Sequence, residues 1–176
     1  MSILFLPREK LFSWMARLLD SVSVYCPDLL ENKIHYKKLD KSLFNETDEQ
    51  VHKVLQRIRP AESLKGFFFS PKLKVAGLEQ TTHAEVKLDN SPRVIIGAKN
   101  CDLKPLKVHQ KMYLESDFGE PFYRSQLERT VIIAADCPVP EQTCFCNLLG
   151  IKPYPEQGAD IILTALPAGY IFEISS

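Results

Sequence analysis

Five cysteines stand in the 176 residues, and four of them, Cys101, Cys137, Cys144 and Cys146, fall into the spacing C-x35-C-x6-C-x-C. Thiolate is a soft ligand, and four thiolates suit either an iron–sulfur cluster or a tetrahedral zinc ion. Structural zinc sites usually draw their ligands from C-x2-C or C-x4-C knuckles, and neither spacing occurs here. A cluster is larger and tolerates ligands from separated loops, so spacing ranks a cluster first, with zinc and unligated thiols as the other two readings. Pro138 and Pro140 stiffen the loop between the second and third cysteines and remove two backbone donors, which suits a tight wrap. Phe145, Leu148 and Leu149 are placed to shield the centre. Cycling of Cys144 and Cys146 between dithiol and disulfide is a weaker idea, because a C-x-C disulfide is strained and the C-x2-C redox motif is missing.

These thiols need elements to hold them. Two β-rich runs, Arg93–Ala98 and Val131–Ala135, each lead closely into a cysteine, Cys101 and Cys137. Between them lies helical sequence from Leu103 to about Leu114 and a second short helix around Phe122–Glu128. Strand, helix and strand in this order predict a parallel βαβ unit, with both cysteines at the carboxyl edge of the sheet, where open α/β sheets place their sites. With Asp102 as N-cap, Pro105 falls in the first helical turn, and Cys101 lies at the positive helix end, an environment that lowers a thiol pKa.

The rest of the chain reads as scaffold. Apolar residues at three- and four-residue steps predict a helix from Arg8 to about Ser21, then a strand Val22–Cys26 ended by Pro27. A second helix is predicted from Thr47, as N-cap, through Arg57, with Val51, Val54, Leu55 and Ile58 as its buried stripe. Further strands are expected at Gly66–Phe69, Ala84–Leu88, Asp160–Ala165 and Tyr170–Ile174, the last two joined as a hairpin through Leu166-Pro167-Ala168-Gly169. The predicted fold class is α/β, with α+β as the alternative: a mixed sheet with a parallel βαβ unit, N-terminal helices and a C-terminal hairpin. Residues 1–60 are expected to pack on an α/β portion at 61–176, as one domain overall.

Twenty-two basic residues balance twenty-two acidic ones, so composition makes no case for nucleic-acid or membrane-surface binding. The opening MSILFL is only six residues long and lacks the basic start and cleavage site of a secretory signal. A cytoplasmic setting is therefore expected, where thiols stay reduced. Cys26 reads as a small buried hydrophobe. The histidines His35, His52, His83 and His109 share no ligand spacing and read as solvated or locally hydrogen-bonded. Glu115, Asp117 and Glu120 read as a solvated loop, and Phe67-Phe68-Phe69 as buried strand. Asp102 reads first as a helix cap and second as an auxiliary cluster ligand. Lys99, Lys104, Arg124 and Arg129 are either ordinary surface residues or charges that tune a cluster potential. No G-x-G-x-x-G or Walker loop is present, so no nucleotide site is expected.

The segments IIGAKNCDLKPLKVHQKMYL and ERTVIIAADCPVPEQTCFCNLLG, with PAESLKGFFFSPKLKV before and GADIILTALPAGYIFEI after, resemble a known family. It is the iron–sulfur β subunit of cytoplasmic sulfhydrogenases, together with the related A subunit of anaerobic sulfite reductase. The resemblance is loose before residue 60 and strongest from about 93 to 174; its most specific pieces are Cys101-Asp102 after a strand and Thr143-Cys144-Phe145-Cys146. It implies an electron-transfer subunit working between a flavin- and nicotinamide-binding subunit and a catalytic subunit. It also implies that Cys101, Cys137, Cys144 and Cys146 ligate one 4Fe–4S cluster, with no catalytic residue in this chain. The family normally continues into a ferredoxin-like segment with the signature C-x2-C-x2-C-x3-C-P, which these 176 residues lack. The chain is accordingly expected to be an excised N-terminal portion, or a short subunit whose ferredoxin part is a separate chain. The rival from a different class is a zinc-stabilised or metal-free assembly module of a redox complex.

Overall fold

A computed structural model describes residues 2–40, 48–69, 91–115, 117 and 119–174. The expected strand at Ala84–Leu88, the cap at Thr47 and His83 lie outside them. The described chain runs β1 (Ser2–Pro7), a 3-10 turn (Arg8–Lys10), α1 (Leu11–Leu18), β2 (Ser23–Leu30), β3 (Lys33–Lys38), α2 (Asp48–Leu55) and α3 (Lys65–Phe68). It continues through β4 (Arg93–Ala98), α4 (Asn100–Leu114), α5 (Pro121–Glu128), β5 (Thr130–Ala135), a 3-10 turn (Cys146–Leu149), β6 (Ile161–Leu166) and β7 (Gly169–Ile174).

The strands form one sheet in the order β1-β7-β6-β5-β4-β2-β3. Its middle is parallel, from β2 through β4 and β5 to β6, while β1–β7, β6–β7 and β2–β3 pair antiparallel. The mixed α/β sheet, its βαβ unit and the terminal hairpin are as the sequence predicts. Helices cover both faces. One core joins Leu11 and Met15 of α1, Val51 and Leu55 of α2, and Val94, Ile96, Ile133 and Leu163 of the sheet. The other joins Phe68, Leu103, Leu106 and Tyr123 to Ile95, Ala98, Ile132 and Ala134. Each fully buried aliphatic side chain contributes about 1.5–3 kcal/mol relative to exposure.

Four local expectations are corrected. Gly66–Phe69 is not a strand: residues 65–68 make a single helical turn, because Phe68 gains full burial against Tyr123 from that conformation. The run of β-favouring aromatics is overridden by packing. The strand at Val22–Cys26 does not stop at Pro27 but continues to Leu30. Pairing with β4 covers only Ser23 to Tyr25, so Pro27 sits where only β3 flanks the strand and no second ladder needs its N–H. The first helix is shorter than expected, a 3-10 turn followed by α1, which ends at Leu18. Finally, α4 begins at Asn100, with Lys99 at the cap position and no capping side chain. Asp102 is thus the third helical residue rather than the N-cap, and Pro105 lies beyond the first turn. A proline there leaves the carbonyl four residues back, that of Cys101, without its helical partner.

Gly97 interrupts β4. The register with β5 shifts between Ile96 and Ala98, and Gly97 has φ of 85°. This bulge resets the alternation of side chains, sending Ala98 to the face of Ile95 rather than that of Val94 and Ile96. The next residue, Lys99, then turns toward α2, and the chain enters α4 carrying Cys101.

Candidate metal centre

Because β4 and β5 are parallel neighbours, Cys101 and Cys137 leave the sheet at the same edge. The loop after β5 folds back there. Cys137 donates its backbone N–H to the Pro153 carbonyl at 2.7 Å, and Ile151 donates to the Cys146 carbonyl at 2.9 Å. Asn100 Nδ2 donates to the carbonyls of Lys152 and Tyr154, at 3.0 and 2.8 Å, tying the start of α4 to the same loop. The Cys144 sulfur accepts a hydrogen bond from the Glu141 backbone N–H at 3.3 Å.

All four predicted cysteines line a single cavity of about 1200 Å³. Its walls are residues 58–61 and Ser63 after α2, the first turns of α4, and the loop that carries Cys137, Cys144 and Cys146. All four are free thiols, half-buried except for the exposed Cys144. They stand around the cavity rather than in a closed knot: among the described residues no three His, Cys, Asp or Glu side chains are close enough to hold one metal ion.

The electrostatics reverse one expectation. Burial pushes the Cys101 thiol up to about 12, followed by repulsion from Asp102, Cys146 and Cys137, with Arg59 opposing. Burial likewise raises Cys137; Lys99 draws it down, while Cys144, Cys146 and Asp136 push it further up. Thiols that repel one another's ionisation lose their protons together to a multivalent cation, and metal binding at such a site is coupled to proton release.

A buried lysine lines the same cavity. Lys99 is 1% exposed, and its Nζ donates to the backbone carbonyls of Leu55 at 2.5 Å and Asp136 at 2.6 Å. Burial lowers it to about 8, while Cys137, Asp136 and Cys101 act to keep it charged. In the sequence Lys99 is indistinguishable in kind from Lys104, Arg124 and Arg129; only the bulge at Gly97 and the depth of the β4–α4 junction set it apart. Lys104 is exposed on the cavity wall, and Arg124 and Arg129 are exposed on α5 and just before β5, at the opposite sheet edge.

Asp102 is 5% exposed, with Arg59 Nη1 3.5 Å from Oδ1 and no hydrogen-bond partner for Oδ2. Burial raises its carboxyl to about 6, with Arg59 opposing. Asn100 Oδ1 is a second buried acceptor with no partner. Ile58, Arg59, Pro60, Ala61 and Ser63 complete the wall, a role that the sequence does not signal.

The remaining candidates lie elsewhere. Cys26 is buried in the first core, as expected. His52 is buried and, as the second of the two expected roles has it, locally hydrogen-bonded, with Nε2 bonded to Gln56 Nε2 at 2.9 Å and Nδ1 to Tyr170 Oη at 2.8 Å. His35 pairs with Glu62. Glu120 accepts from the Tyr123 N–H as the N-cap of α5, a role more specific than a solvated loop. His109 is among the cavity-lining residues.

One curated relative matches this geometry-bearing chain. It is similar to a sulfhydrogenase β subunit. That protein, sulfhydrogenase 2 subunit beta of Pyrococcus furiosus, is 30% identical over 112 residues, 64% of this chain and 32% of the relative. The chain thus spans about a third of the length of the relative it matches. No protein-family model and no solved structure matches. Among the described residues, no helix is long and apolar enough to cross a membrane.

Proposed function

We propose that this chain is an electron-transfer component of a hydrogenase-type redox complex, holding one 4Fe–4S cluster on Cys101, Cys137, Cys144 and Cys146. The observation that carries the reading is that thiols from two separate β-edge junctions and one loop line the same cavity, together with a buried lysine. A cube spreads its four ligands more widely than a single ion does, which fits thiols set around a cavity. A cluster with four thiolates is anionic, and the Lys99 ammonium supplies the opposite charge. Such a group, when bound, stores and releases one electron at a time.

The chain's own part is positional. The sheet fixes Cys101 and Cys137; the Asn100 amide and the Cys137–Pro153 bond hold the loop bearing Cys144 and Cys146 against α4. The Glu141 N–H is already directed at a ligand sulfur, and hydrogen bonds to sulfur are one of the levers on cluster potential. The auxiliary-ligand role proposed for Asp102 is supported by its Oδ2, which has no hydrogen-bond partner, and by its position in the cavity lining. Partners of the kind the resemblance implies, a flavin- and nicotinamide-binding subunit, a catalytic subunit and a ferredoxin-like chain or segment, would supply and remove the electron in a cytoplasmic complex.

One observation favours the assembly-module reading. Phe145 and Leu149 line the cavity yet stay exposed, and Leu148 between them is 87% exposed, an apolar rim of the type that marks contact surfaces. A single assay separates the two readings. Protein prepared without oxygen and supplied with iron and sulfide should bind about four of each per chain and absorb in the visible. Zinc, or no metal, with no visible absorbance would replace the cluster reading with the assembly one.

A further inference from the structure

The buried lysine is more than a brace. Its two hydrogen bonds link the end of α2, through the Leu55 carbonyl, to the end of β5, through the Asp136 carbonyl. A neutral amide could make such a link without the cost of burying a charge, which amounts to several kcal/mol for an ion taken out of water. A cation retained at 1% exposure on the wall of a cavity that carries four thiols is balanced when those thiols carry negative charge. Asp136 supplies part of that balance, and Cys137 and Cys101 supply more when ionised. Asp136 turns its carboxylate to the Thr164 hydroxyl, 2.6 Å away, and Asp102 faces Arg59.

We propose that Lys99 sets the reduction potential of the centre held by the four cysteines, stabilising its reduced form through a fixed, unscreened positive charge. This rests on the cluster reading. One electron added to the centre makes it more negative by one unit, and the ammonium interacts more favourably with that state than with the oxidised one. No proton moves at Lys99 in this step. The charge acts strongly because it is buried, where neither water nor salt screens it as they screen an exposed charge. Lys104 lines the same cavity, but its side chain is 48% exposed and lies 3.9 Å from Glu156. Its charge is largely screened.

The test is a potentiometric titration of the full chain, reconstituted without oxygen with iron and sulfide and reduced with dithionite, followed by visible absorbance and electron paramagnetic resonance. Iron content, sulfide content and circular dichroism are measured on every sample. Lys99→Met should keep iron, sulfide and fold and move the oxidised-to-reduced balance at a given potential at least tenfold toward the oxidised form. That is a fall of 59 mV for a one-electron couple. Lys104→Met should move it less than twofold. A loaded, folded Lys99→Met protein with the wild-type potential overturns the proposal, since a brace alone leaves the potential where it was. If Lys99→Met does not fold, Lys99→Gln, which keeps an amide donor for the two carbonyls, is read in the same way; failure of both to fold assigns Lys99 a bracing role and overturns the proposal as well. Wild-type protein that takes up no iron sinks the cluster reading and this proposal with it, whereas iron in the wild type with an unmoved variant potential sinks this proposal alone.

Discussion

Sulfur at Cys26 and sulfur at Cys101 have the same chemistry and different fates. Cys26 is 2% exposed among Met15, Val24 and Ile96, and there it fills space. Cys26→Ala should cost about 1 kcal/mol, the value of roughly one buried methylene-sized group, in urea unfolding, and leave iron uptake at the wild-type level. Cys137→Ala should do the reverse, abolishing stable iron and sulfide binding while the metal-free fold unfolds at the same urea concentration. The two outcomes together separate a packing thiol from a ligand thiol. His52 makes a third test at this scale. Burial, followed by the Arg8 charge, lowers its pKa below the ordinary 6.5, so the folded chain prefers the neutral ring. A base whose folded pKa lies below its unfolded pKa contributes stability that is complete above about pH 6.5 and is lost as pH falls through the folded value. Asp102, raised to about 6, gives the opposite slope between the ordinary 3.8 and 6. The wild-type curve therefore mixes the two. The difference between wild type and His52→Gln, measured by urea unfolding from pH 5 to 8, isolates the histidine and should shrink as the pH drops.

At the level of elements, the parallel centre of the sheet was legible and its margins were not. β4 and β5 are continuous apolar runs buried on both faces, the pattern that parallel strands impose. β1 and β3 are edge strands and escaped reading. In β3 only Ile34 is buried in a run of basic and aromatic residues, and β1 keeps Ile3, Leu4 and Phe5 exposed, so it carries no alternation to detect. The cysteine cluster was readable because a thiol is rare and its spacing discrete. The burial of Lys99 and the wall made by residues 58–61 and Ser63 depend on tertiary placement, and lysine is among the side chains least often buried. The hinge between these two classes of information is Gly97. An ideal Cβ there would meet Pro27 Cγ at 2.7 Å and Leu55 Cδ2 at 3.0 Å, and the residue holds φ of 85°. Gly97→Ala should therefore destabilise the chain by about 1–3 kcal/mol, from backbone strain and overpacking together. The same variant should lose iron faster to a chelator than wild type does, because straightening the bulge turns Lys99 and Cys101 away from their present directions. An unchanged chelation rate in a destabilised variant would detach the bulge from the site.

For the whole molecule, the sheet and the site differ in how they are held. The sheet is bonded along seven strands and packed on both faces. The loop from Cys137 to Pro153, by contrast, is exposed at nearly every position and rests on a few backbone bonds and the Asn100 amide. Segments with few buried apolar contacts open at the lowest free energy. A ligand that binds only the closed arrangement stabilises that arrangement by mass action, and most strongly where the free chain is weakest. Iron–sulfur assembly on Cys137, Cys144 and Cys146 should then slow hydrogen exchange in residues 137–153 and at the start of α4 by at least tenfold. Exchange in β4, β5 and β6 should change little, because those amides already open only with the whole domain. Loading the protein without oxygen and measuring exchange before and after iron removal tests this directly. Equal slowing along the entire chain would mean that the centre is needed to build the sheet, not merely to close a loop over an edge that the sheet already provides.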